Sequence, residues 1–115
     1  MSKTIKFSVS DDNYRIIEDE AGKRNLSIQD YIRWRLFPEQ VPFTPQDAAE
    51  KALKDRKKGE TFTLPKLYGE DWTLPNGVAG QFGKKFFALV EKEYKGRIQF
   101  TKEFDERKNA VYIIL

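Results

Sequence analysis

The sequence predicts a mainly α chain with short strands, of the α+β class and divided into two units. Three observations carry this. Apolar residues recur at helical spacing in stretches starting near Asp11, Ser27, Thr44 and Gly77. Short alternating stretches at 4–10, 61–64, 97–104 and 110–115 read as strands. Between the two sets lies "PEQVPFTP", which holds three of the five prolines and reads as a stiff linker. The units are then residues 1–37 and 44–115, joined by 38–43.

The first strand places Ile5, Phe7 and Val9 on one face and Thr4, Lys6 and Ser8 on the other. Ser10 is a good N-cap, and Asp11 and Asp12 meet the positive end of a helix dipole. The helix runs to about Arg24, carries Tyr14, Ile17 and Ala21 on one stripe, and closes at "KRN", with Asn25 as the C′ residue. Ser27 caps a second helix with Asp30 three residues on. Ile28, Ile32 and Leu36 form its stripe, and Pro38 stops it. Trp34 lies off that stripe and reads as core or interface, with packing against the second domain or another chain as an option.

The second unit opens with Thr44 as N-cap and Pro45 as the first helical residue. Ala48, Ala49, Ala52 and Leu53 give a thin apolar face that ends near "KKGE". The strand "TFTL", a short helix led by Pro65 and the turn "TLPNG" follow. A longer helix over 77–94 carries Val78, Phe82, Phe86, Leu89 and Val90 on its core side. Its Gly77, Gly80 and Gly83 cost helix stability, which predicts close approach by another backbone or by a ligand, with packing against the preceding helix as the commoner cause. The last two strands form a hairpin with the charged tip "DERKN".

Composition narrows the chemistry. The 115 residues are 39% hydrophobic and 34% charged, enough for a modest core and too apolar for a disordered chain. There is no Cys and no His, which removes disulfides, cysteine zinc sites, the commonest metal ligand and the commonest general base. The carboxylates are scattered singly or in solvated runs, so no catalytic set, metal set or cofactor site is predicted. "GQFGKK" is no phosphate loop, because its glycines are too close and no hydroxyl follows the lysines. No apolar run spans a bilayer and no signal-peptide core is seen, so no membrane partner and a cytoplasmic location are expected. Residues 1–43 carry seven cations and seven anions, whereas 44–115 carry fourteen and eleven, which gives the net +3.

A unit of 37 residues buries too little surface to fold alone, and its one strand has no neighbour. Both difficulties vanish if two chains pair. The stretch "TIKFSVSDDNYRIIEDEAGKRNLSIQDYIRWRLF" resembles the ribbon-helix-helix family of DNA-binding proteins. The resemblance covers about a third of the chain and rests on the order strand, helix, helix. It implies an obligate homodimer whose paired strands enter the major groove of double-stranded DNA. Thr4, Lys6 and Ser8 then match the base-contacting positions, and Ile5, Phe7 and Val9 the dimer core. Lys3, Ser27 and Ile28 match phosphate-contacting positions, and a helix N-terminus suits an anion there. The outer face carries one strong cation, Lys6, with Lys3 at its edge.

Residues 44–115 read helix, strand, helix, helix, strand, loop, strand, an order that resembles a winged-helix domain. The stretch from "GETFTLPKLYGEDW" to "GRIQF" is also similar to a small bacterial domain family of uncharacterised function, found beside ribbon-helix-helix heads on regulators and mobile elements. The winged-helix resemblance puts 77–94 in the recognition-helix position. It makes Gln81, Lys84, Lys85, Arg107 and Lys108 a second surface, for DNA or for protein.

The function expected from both resemblances is a sequence-specific transcriptional regulator, an autorepressor that works by occupying a palindromic site. The alternative is a bifunctional antitoxin or anti-defence (anti-CRISPR-type) inhibitor, whose C-terminal domain binds a protein target such as a toxin or nuclease. A structural adaptor is the third reading.

Overall fold

The computed structural model of the chain describes residues 2–115. It is an α+β fold with five α-helices and one three-stranded antiparallel sheet. The chain forms two compact units, one ending at Pro42 and the other running from Phe43 to Leu115.

In the first unit, residues 3–9 belong to no assigned strand. They pair with no other strand among the described residues. Helix α1 is Asp11–Lys23 and α2 is Ile28–Leu36. Ser10 Oγ accepts the Asn13 amide at 3.2 Å and opens α1. Asn25 closes the helix in the left-handed region at φ 56°. The Leu26 amide reaches Ala21 O at 2.9 Å and the Asn25 amide reaches Gly22 O at 3.1 Å, the paired bonds of a Schellman end. Asn tolerates that conformation better than most side chains, which explains its place here.

Ser27 Oγ accepts the Asp30 amide at 3.1 Å and starts α2. The Asp30 carboxylate pairs with Arg33 at 3.0 Å, so the cap is one-sided. Trp34 is buried, with Tyr31 edge-on at 6.4 Å and the Arg24 and Arg35 guanidinium groups 5.6 and 4.9 Å from its ring centre. Of the expected stripes, Ala21 is buried and Ile17, Ile28 and Ile32 are half-buried, while Tyr14 and Leu36 stay exposed.

In the second unit, α3 is Pro45–Asp55, begun by a full capping box between Thr44 and Asp47. Its three alanines, Ala48, Ala49 and Ala52, are fully buried and let α3 lie close to the unit's other helices. Phe43, expected in the linker, belongs to this unit. Its ring stacks on Tyr68 at 3.9 Å and meets Phe82 edge-on at 5.9 Å.

Strand β1 is only Thr61–Phe62, shorter than the alternation suggested. Thr63 turns its hydroxyl to the Lys66 amide at 3.3 Å and caps α4, Leu64–Tyr68, so the local hydrogen bond ends the strand. A single 3-10 turn, Gly69–Asp71, follows. Helix α5 is Asn76–Glu93. Strands β2, Ile98–Phe104, and β3, Ala110–Ile114, form the expected hairpin.

The sheet order is β1-β3-β2, so the last strand lies in the middle. Phe62 and Phe100 both face Tyr112 across β3. The register slips between Phe100 and Phe104, where Lys102 takes φ 68°. Phe82, Phe86 and Val90 form the buried stripe of α5, Tyr94 continues it at the helix C-cap, and all four pack with Phe62, Ile98, Tyr112 and Ile114 in one core. Val78 was expected on this stripe but is 40% exposed. It sits one turn before Phe82, where α5 has passed beyond the core.

Candidate nucleic-acid interface

Two surfaces gather the residues singled out in the sequence. The first is the N-terminal segment. Ile5 and Phe7 are 84% and 65% exposed. Thr4, Lys6 and Ser8 are exposed as well. Unprotected aromatic and branched side chains in a row are costly to leave in water, at roughly 1.5–3 kcal/mol each relative to burial. Ile16, Leu36 and Phe37 add further exposed apolar surface in the same unit.

Lys3 is exposed at the start of this segment. Ser27 and Ile28 stand at the α2 N-terminus, as the sequence placed them. The Ser27 hydroxyl is occupied by the Asp30 amide. What that helix end offers an anion is therefore backbone N–H from its first turn, not the hydroxyl.

The second surface lies on the second unit. A groove of about 420 Å³ runs between α5 and the β2–β3 hairpin, floored by Leu64, Phe100 and Tyr112 and walled by Phe87 and Phe104. Lys84 from α5 and Lys108 from the hairpin tip both line it. Gln81, Lys85 and Arg107 are exposed but lie outside its lining. The five residues expected to form one surface therefore divide, and two meet across the groove. Burial pushes the Tyr112 hydroxyl up to about 12, so the groove floor stays uncharged across the physiological range.

The hairpin tip is held by Asp105. Its carboxylate accepts the Arg107 and Asn109 amides, each at 2.9 Å, and the Asn109 side chain at 3.3 Å. The Asn109 amide is the main reason the carboxyl is held below the usual aspartate range. Lys108 takes φ 64° in this turn, a left-handed conformation that a lysine rarely adopts.

The α5 glycines behave differently from the expectation. A Cβ built at Gly77, Gly80 or Gly83 would meet nothing within 4 Å. No neighbouring helix or backbone requires them. Gly80 and Gly83 instead line the groove. Gly80→Ala is therefore expected to raise stability by about 1 kcal/mol, through helix propensity alone. Chemical denaturation of the two proteins measures this, and a destabilised Gly80→Ala would reveal a contact the geometry lacks.

The groove itself was not foreseen. Its signal was present in three aromatic residues: Phe87 outside the main α5 stripe, and Phe100 and Phe104 along the first strand of the hairpin. No group of three or more Asp and Glu side chains that would hold a metal ion occurs among the described residues. Among the described residues no helix is long and apolar enough to cross a membrane.

No curated protein and no solved structure matches the chain. A family model described as a domain of unknown function (DUF1413) matches residues 47–113, which takes in nearly all of the second unit. That match spans more than half of the sequence, and the chain belongs to the DUF1413 family.

Proposed function

We propose that the protein is a DNA-binding transcriptional regulator that acts as a homodimer through its first unit. One observation carries the reading. A segment whose sequence alternates between apolar and polar residues leaves Ile5, Phe7 and Val9 exposed directly before two capped helices. A second copy of the same segment, running antiparallel, supplies the missing strand partner and covers those three side chains on both chains. The same pairing turns Thr4, Lys6 and Ser8 outward on a two-stranded ribbon of the kind that fits a major groove. The α2 N-termini, led by Ser27 and Ile28, then flank the ribbon and suit backbone phosphates, with Lys3 beside them.

The second unit supports the same class of function by its layout. Its order of helix, strand, helix, helix, strand, loop, strand and its sheet order β1-β3-β2 fit a winged-helix arrangement, with α5 in the recognition position. The first unit has no net charge, so its affinity for DNA rests on base contacts and helix-end amides more than on phosphate neutralisation. Repression follows from occupancy: a dimer seated over a promoter excludes other proteins.

Recovery of DNA fragments bound by the full chain from a random duplex pool tests the proposal. A short palindrome is expected to emerge. Thr4→Ala with Lys6→Ala is expected to lower affinity for that palindrome by roughly 100-fold or more, since a good base contact is worth about 1–3 kcal/mol and the dimer loses each twice. Its sedimentation as a dimer should not change. Unaltered palindrome binding by the double variant would remove the ribbon from the reading surface.

A further inference from the structure

We propose that the groove between α5 and the β2–β3 hairpin binds a short segment of a partner protein, one with large apolar side chains flanked by carboxylates. The apolar side chains sit against Phe87, Phe100 and Phe104, and the carboxylates face Lys84 and Lys108. This goes beyond the DNA-binding reading and does not depend on it, since every residue involved lies in the second unit.

The shape comes first. The groove is open, and its volume of about 420 Å³ falls in the range of sites that accept a few side chains. Phe87 and Phe104 are 41% and 61% exposed on its walls. Binding sites are concave and lined mostly by hydrophobic and aromatic side chains with a few placed polar groups, which is the make-up of this groove.

The helix backbone is the second observation. Gly80 and Gly83 weaken α5 and are required by nothing within the chain. They bare the helix along the groove, so an occupant can approach the α5 backbone closely. An alanine or larger residue at either place would narrow the groove.

Charge then selects the occupant. The charged residues in the lining are Lys84 and Lys108, both cations. Asp105, the acid that follows Phe104, is turned inward to hold its own loop by three hydrogen bonds. The tip spends an acid on its turn and, through the left-handed backbone at Lys108, directs a cation to the groove. Carboxylates on the partner complement that pair.

A nucleic-acid strand fits less well. Phe87 and Phe100 stand at 86°, and Phe100 and Phe104 at 69°. Rings set edge to face enclose side-chain-sized hollows and offer no run of parallel faces for stacked bases. Residues 102–108 of the hairpin also carry three cations and three anions, which gives little pull on a polyanion.

The test uses the full chain and a displayed library of random 12-residue peptides. Selection is expected to enrich sequences with Trp, Phe or Leu flanked by Asp and Glu. Gly83→Leu fills the groove at a position with open space, so it is expected to melt no lower than the parent and to weaken the selected peptides at least tenfold. Lys84→Glu with Lys108→Glu is expected to weaken them similarly and to favour peptides whose acids are replaced by Lys. Enriched peptides that bind both variants as well as the parent would overturn the proposal, as would a selection with no acidic preference. So would tight binding of a 12-nucleotide oligo(dT) that Gly83→Leu abolishes, because the groove would then serve single-stranded nucleic acid.

Discussion

Phe7→Asp is expected to convert the proposed homodimer to a monomer and to abolish the proposed palindrome binding with it. In one chain Phe7 is 65% exposed, so the substitution removes no contact that the isolated chain makes in bulk. In the proposed antiparallel ribbon the same ring would be covered by its counterpart. Removing a buried phenyl group costs about 3–5 kcal/mol, and placing an unpaired carboxylate there adds to that cost. A loss of only 3 kcal/mol raises a dissociation constant by more than 100-fold, and each dimer suffers the change twice. Sedimentation at micromolar concentration should therefore show one chain where the parent shows two. The second unit supplies the control, since its core contains no residue before Phe43 and its unfolding should be unaltered. A Phe7→Asp protein that still sediments as a dimer would place the contact between chains elsewhere.

The second large effect concerns the fold itself. Phe86 is fully buried at the centre of the second unit, with Phe62 edge-on at 6.3 Å and Tyr112 at 4.9 Å. Phe86→Ala removes this ring from between α5 and the sheet. The expected cost is about 3–5 kcal/mol. Domains are stable by only about 5–15 kcal/mol, and a unit of this size belongs to the lower part of that range. The melting temperature should fall by roughly 12 °C or more, at about 4–8 °C per kcal/mol. Thermal and denaturant unfolding followed by tryptophan fluorescence measures this through Trp72, whose ring meets Phe82 at 5.5 Å. A loss below about 1 kcal/mol would show that Phe86 does not bridge the layers. Phe87→Ala, one residue on but 41% exposed, should cost far less and separates a core effect from a general loss of helix content.

The element boundaries were legible in the sequence wherever a cap marks them. Ser10, Ser27 and Thr44 each accept the amide three residues on, as their spacing to the following helix implied. Asn25 closes α1 in the left-handed region, as a C′ asparagine should. Thr63 shows where the same reading stops. Alternation made it a strand residue, yet its hydroxyl caps α4, and a threonine suits both roles until the chain around it is placed. Val78 fits the period of α5 but not its core, because periodicity says which residues share a face and not how far along the helix the sheet extends. The glycines of α5 were recognisable as costly, and their cause was not: the empty space beside them exists only once the hairpin has folded.

The candidate surfaces divide in the same way. Thr4, Lys6 and Ser8 form a set because they alternate within five residues, so the local chain decides it. Lys84 and Lys108 form a set only because the hairpin returns to α5, whereas Lys85 and Arg107, their immediate neighbours in sequence, stay out of the groove. By itself the sequence determined the order of the five helices and of the three strands of the second unit, and the helix starts that a cap marks. Those features depend on capping bonds, proline geometry and side-chain period, all of which act within a few residues. Tertiary structure alone decided that β3 lies between β1 and β2, that α5 is buried from Phe82 onward, and that an open aromatic groove carries one lysine on each wall. These depend on residues tens of positions apart meeting in one place, and no local pattern encodes which of several compatible meetings buries the most apolar surface.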